Sequence, residues 1–190
     1  MDEQQQLRND NYELRRQLEF NEIEIDKLKQ DRLRKTFEIS NIPASEGENL
    51  LDIAIQVCQE IGVSLDSKEV REIFRASTYH SQKSQIPAPI QVKLYSKGKR
   101  DEIIAKKREK KSLTTATLNM VADNSQRVNI YINEVLTKRN RYLFKLARDL
   151  KRNGKVKFAW FRDGRVLVRK TEKGRVKEFF SSAALNEYSK

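Results

Sequence analysis

Cysteine and histidine are nearly absent from this chain of 190 residues: Cys58 and His80 each stand alone. One cysteine can form neither an intrachain disulfide nor a cysteine-based zinc site, and its isolation points to a reducing, intracellular compartment, cytoplasm or nucleus. His80 lies in a polar stretch with no partner in the neighbouring sequence. No Gly-rich phosphate loop, metal-ligand spacing or nucleophile elbow occurs, so no enzyme activity, metal or cofactor is expected. Long apolar runs are missing as well. No stretch of about 18 apolar residues exists, which excludes a transmembrane helix. Met1-Asp2-Glu3-Gln4-Gln5-Gln6 lacks the apolar core of a secretory signal. Hydrophobic residues make up only 37%, low for one compact core, so part of the chain should be extended or solvated.

Negative charge is scarce in the second half. Residues 97–190 hold 26 Lys/Arg against 10 Asp/Glu, while residues 1–96 hold 13 against 17; the surplus of 16 and the deficit of 4 leave the net +12. Such a division in a chain of this kind points to a polyanionic partner, nucleic acid first.

What is present begins with a heptad pattern over residues 7–35. Leu7, Leu14, Asn21 and Leu28 occupy d positions, and Asn11, Leu18, Ile25 and Arg32 occupy a positions. The g-to-e pairs Glu3–Arg8, Asp10–Arg15 and Glu24–Lys29 are opposite in sign, whereas Gln17–Glu22 is not. This is the pattern of a parallel coiled coil, and Asn11 at an a position favours two strands, a dimer ahead of a trimer. The alternative is an amphipathic helix docked on its own domain. The helix starts in mid-register, as a piece of a longer rod would.

Elements then follow in the order β-α-β-β-α-β. Phe37–Ile42 alternates as a strand, and Ser45 with Glu48 suggests a capping box before a helix through Ala54 and Cys58. Val70–Thr78 and Ile90–Leu94 read as strands around a polar loop, Tyr79–Pro87. Lys99–Lys111 reads as a basic helix, and Val128–Asn133 as a strand after a long link, Ser112–Gln126. That order suits a split βαβ, ferredoxin-like sandwich. Thr137 should cap a helix that runs to Arg152 and ends at Asn153-Gly154. Asp163-Gly164 joins two strands as a hairpin, and Arg175–Phe180 leads to a short final helix. The fold class is α+β: a coiled coil over residues 1–35, a ferredoxin-like domain over 36–134 and a basic helix-plus-hairpin domain over 135–190.

On the helix after Thr137, the cations Lys138, Arg141, Lys145, Arg148 and Arg152 share a stripe roughly 80° wide, with Leu143, Ala147 and Leu150 opposite. This spacing points to phosphate contact. In the hairpin, pairing puts Phe161, Val166, Ala159 and Val168 on one face. The other holds Phe158, Trp160 and Leu167 with Arg162, Arg165 and Arg169, where Trp160 either stacks a base or lies in the core beneath the helix. Lys97, Lys99, Arg100, Lys106, Lys107 and Arg108 form a second basic cluster, which fits a cleft between domains, a nuclear import signal or a solvated face. Tyr95 is a further stacking candidate.

Ile130–Thr137 followed by Arg139-Asn140-Arg141 and Leu146-Ala147-Arg148, together with Phe158–Lys170, resembles the C-terminal domain of the baculovirus few-polyhedra (FP) proteins. Related sequences occur in the first open-reading-frame proteins of insect LINE-type retrotransposons. Phe37–Pro43, Glu48–Val63 and Arg100–Lys111 around Ile90–Leu94 extend the resemblance, which covers residues 36–188. It implies a homo-oligomeric binder of single-stranded nucleic acid, RNA or DNA, with a noncanonical RNA-recognition-motif (RRM) domain. In the retrotransposon relatives, chaperones that coat their RNA, the strand lies in a basic cleft between the last two domains. The viral relatives act in occlusion-body and virion formation, which leaves a structural assembly role as the alternative. Against the RRM pattern, Glu38, Pro89 and Gln91 stand where base-stacking aromatics are expected, so binding should be electrostatic and salt-dependent.

Overall fold

Strict alternation places Phe37 and Ile39 on the buried face of strand β1 (Thr36–Ser40), and Ile90, Val92 and Leu94 on the buried face of β3 (Ile90–Leu94). These strands pair antiparallel at the centre of a four-stranded sheet, with β2 (Val70–Arg75) beside β3 and β4 (Tyr131–Glu134) beside β1. Helices α2 (Leu50–Glu60) and α3 (Lys97–Glu109) contribute Ala54, Val57, Cys58, Ile103 and Ile104 to the same apolar core. The chain order β1-α2-β2-β3-α3-β4 and the sheet order β2-β3-β1-β4 agree with the α+β reading. These coordinates come from a computed structural model, which describes residues 3–76, 87–110, 112–118, 120 and 127–188. The chain divides into two units, Leu33–Val135 and Met1–Arg32 with Leu136–Lys190. No helix among the described residues is long and apolar enough to cross a membrane.

Several local expectations shift by a few residues. The capping box at Ser45 does not form. Asn49 caps α2 instead, its side chain accepting from the Leu51 and Asp52 N–H groups, and a capping box closes at Asp66 and Glu69. Strand β2 ends at Arg75, short of Ala76, where the expected strand should continue; Ser77, Thr78 and the loop from Tyr79 through Ile86, His80 included, lie outside the described residues. Asn129 bridges to Thr114, so β4 proper begins only at Tyr131. Cys58 is fully buried in the core, and that burial pushes its thiol up to about 12.

Glu48, freed from capping, forms a forked pair with Arg75, one arm at 2.6 Å. Arg75 also donates to the carbonyls of Ile42, Pro43 and Ala88, so one side chain ties the β1–α2 segment to β2. The Arg75 guanidinium, hydrogen-bonded to the Glu48 carboxylate, holds that carboxyl below its ordinary value, against the opposing effect of burial. A carboxylate with a lowered folded-state value stabilises above its unfolded value and loses that stabilisation as pH falls through the folded one. Glu48→Gln should therefore cost about 1.5–3 kcal/mol at neutral pH, with the gap to the native protein narrowing in acid. Urea unfolding of both proteins at neutral and acidic pH checks this; a gap independent of pH would show that the charge on Glu48 adds nothing.

In the other unit, α1 (Glu3–Arg32) is one uninterrupted helix. Its heptad residues Leu7, Leu14, Leu18, Ile25 and Leu28 are exposed, Leu28 at 69%. Its last turns dock on the same unit by a different face. Thr137 donates its N–H to Gln30 Oε1 at 3.0 Å and its hydroxyl to Asp26 Oδ2 at 2.9 Å, and Arg139 reaches Glu22 at 3.5 Å. Glu22, Asp26 and Gln30 take heptad positions e, b and f, away from the a/d seam. Docking and an open seam therefore coexist, whereas the sequence reading had set them as alternatives. Glu22 also belongs to the one g-to-e pair without opposite charges, so its use by Arg139 takes nothing from the seam.

A candidate nucleic-acid interface on the C-terminal unit

Thr137 caps α4 (Lys138–Arg152) as expected, its side chain accepting from the Asn140 N–H. The helix ends at Asn153, with Gly154 at a positive φ of 72°. Leu143 and Ala147 are buried, and Phe144, Leu146 and Leu150 pack beside them against the sheet. That sheet is β5 (Phe158–Arg162), β6 (Arg165–Arg169) and β7 (Lys177–Phe179), closed by α5 (Ser182–Tyr188) through buried Leu185. Asp163 and Gly164, at φ of 50° and 78°, make the tight turn whose twist matches the flanking strands.

Because Leu143 and Ala147 face the sheet, the stripe half a turn away faces out. Lys138, Arg141, Lys145, Arg148 and Arg152 are all exposed. Asp149 is the only acid on the helix, and it pairs with Arg152 at 2.6 Å. Arg148 lies over the Phe144 ring, 6.0 Å from its centroid.

The hairpin register opposes Phe158 to Arg169, Ala159 to Val168, Trp160 to Leu167 and Phe161 to Val166. Ala159, Phe161, Val166 and Val168 face α4 and join the core. Trp160 therefore lies on the opposite sheet face, in the row Trp160, Leu167 and Glu178, and the core alternative for it is set aside. Arg169 stacks over Phe158 at 4.2 Å, Arg165 lies 3.8 Å from Glu178, and Arg162 lies 3.7 Å from Asp163. The α4 stripe and the Trp160 face thus lie on opposite sides of the sheet, with α4 and the core between them. One short segment of a strand cannot touch both.

In the unit Leu33–Val135, most of the expected basic cluster is tied to acids. Lys97 pairs with Asp101 at 2.6 Å, Lys106 with Glu109 at 2.9 Å, and Lys99 with Glu102 at 3.3 Å and Glu69 at 3.7 Å. Arg100 corrects the sequence reading. Its side chain is 2% exposed, bonded to the Arg34 carbonyl at 2.9 Å and the Glu134 carboxylate at 3.0 Å, so no phosphate reaches it. It belongs to the core because Ile103 and Ile104, which pull α3 onto the sheet, put position 100 on the same inward face. Lys107 is half-buried, whereas Arg108 and Tyr95 are exposed.

The sequence reading missed Tyr142. It is 57% exposed and lies about 40° past Lys138 around the α4 axis. Helical spacing alone would have placed this aromatic at the edge of the stripe.

A cation-striped helix laid on a three-stranded antiparallel sheet defines a small basic α+β domain. Residues 137–188, from the helix cap to the end of α5, match the family model for Baculovirus FP protein domain 2. The similarity to the baculovirus FP proteins thus covers this C-terminal domain. No curated protein matches it.

Proposed function

We propose that this chain is a homo-oligomeric protein that binds single-stranded nucleic acid, RNA foremost, as a chaperone or packaging factor. The α4 stripe is the phosphate-binding surface. The observation that carries the reading is five exposed cations on one helix face with a single acid among them. An ordinary solvated face mixes signs, as α3 does. Self-association runs through Leu7, Asn11, Leu14, Leu18, Asn21, Ile25 and Leu28 as a parallel dimer. The exposed apolar seam and its matched flanking charges support that arrangement. Linked copies raise the effective concentration of the second stripe once the first has bound. The β1-α2-β2-β3-α3-β4 order with β1 and β3 central supports a ferredoxin-like, RRM-like reading of Leu33–Val135.

Filter binding to an unstructured RNA tests this. Five phosphate contacts at a slope of about 0.7 each predict roughly a hundredfold loss of affinity between 50 and 200 mM salt. An affinity that stays level over that range would overturn the proposal and favour a protein-assembly role.

A further inference from the structure

Phosphate contacts hold any polyanion; selection of a single strand needs a group that meets bases. Trp160 is excluded from that task for a strand on the stripe, because it lies on the far side of the sheet from α4. Tyr142 is on the right side. Its i−4 and i+3 neighbours on α4 are Lys138 and Lys145, and neighbours at those spacings have Cβ atoms about 5–6 Å apart. A strand whose phosphates sit on Lys138 and Lys145 therefore brings its bases to the edge of the stripe where Tyr142 stands. The ring faces water over most of its surface, although Leu143 and Ala147 beside it are buried, so core packing does not account for an aromatic here.

We infer that Tyr142 is the base-stacking residue of this surface and makes α4 selective for single-stranded nucleic acid over other polyanions. The inference rests on the reading of α4 as the phosphate-binding face. Because every base has a π-face, this contact adds affinity without sequence preference.

The test compares Tyr142→Ala and Tyr142→Phe with the native protein, using an unstructured RNA and inorganic polyphosphate as probes. Polyphosphate offers the charge without bases. Stacking of one base predicts that Tyr142→Ala binds RNA about 5- to 150-fold more weakly, with the salt slope and polyphosphate affinity unchanged and Tyr142→Phe close to native. RNA affinity unaltered by Tyr142→Ala overturns the inference, as does an equal loss on polyphosphate. A Tyr142→Phe as weak as Tyr142→Ala would assign the effect to the hydroxyl and overturn stacking too. A variant with Arg141, Lys145 and Arg148 changed to alanine separates the two levels. If it binds RNA normally, the phosphate-binding reading falls; if it loses RNA while Tyr142→Ala does not, only the stacking inference falls.

Discussion

Changing Arg141, Lys145 and Arg148 to alanine is expected to lower RNA affinity about a hundredfold at 0.1 M salt. Each phosphate contact on a single strand contributes about 0.7 to the slope of log affinity against log salt. Three lost contacts flatten the slope by about 2, and that difference amounts to about two decades at 0.1 M, shrinking toward nothing near 1 M. The fold should survive, since all three side chains are exposed and alanine favours the helix. Filter binding across a salt series, beside a thermal melt, reads both effects. A parallel shift of the whole line, with slope unchanged, would mean that these cations are not meeting phosphates.

Arg100→Met should destabilise the unit Leu33–Val135 strongly, costing about 3–5 kcal/mol. Glu134 is 11% exposed and pairs with Arg100 at 3.0 Å. Removing the guanidinium takes its countercharge from a poorly solvated carboxylate and one hydrogen bond from the Arg34 carbonyl. Small domains hold only about 5–15 kcal/mol in all, so the loss is a large fraction. Arg100→Met with Glu134→Leu should regain part of it, because an apolar pair of similar volume needs no desolvated charge. Arg108→Met, on the exposed side of the same helix, should stay within about 0.5 kcal/mol of native. Urea unfolding measures all three. An Arg100→Met protein of native stability that failed to bind RNA would return Arg100 to the binding surface.

The contrast between Arg100 and Arg148 shows where local signals stop. Both stand in basic helices, and composition treats them alike. On α4 the apolar residues Leu143, Ala147 and Leu150 mark one face so clearly that the cations must lie opposite. On α3 only Ile103 and Ile104 mark the inward face, and a long arginine at position 100 can either reach water or turn inward to a carboxylate 34 residues away. Which it does depends on Glu134, and no local pattern pairs the two. Glu48 is similar: its spacing from Ser45 imitates a capping box, but a guanidinium from β2 holds it more strongly than the helix end could. Trp160 was undecided for the same reason, since hairpin alternation sorts residues into two faces without saying which one the helix will cover.

Features set by neighbours in sequence were determined by the sequence itself. They include the Thr137 cap, the Asp163-Gly164 turn with its register, the cation stripe and the heptad seam, because each depends on backbone geometry repeated over a few residues. Tertiary structure decided which cations remain in water, on which side of its sheet Trp160 lies, and that α1 docks by a face other than its seam. Those outcomes turn on charges and apolar faces far apart in the chain, whose balance of burial against pairing exists only once the chain has folded.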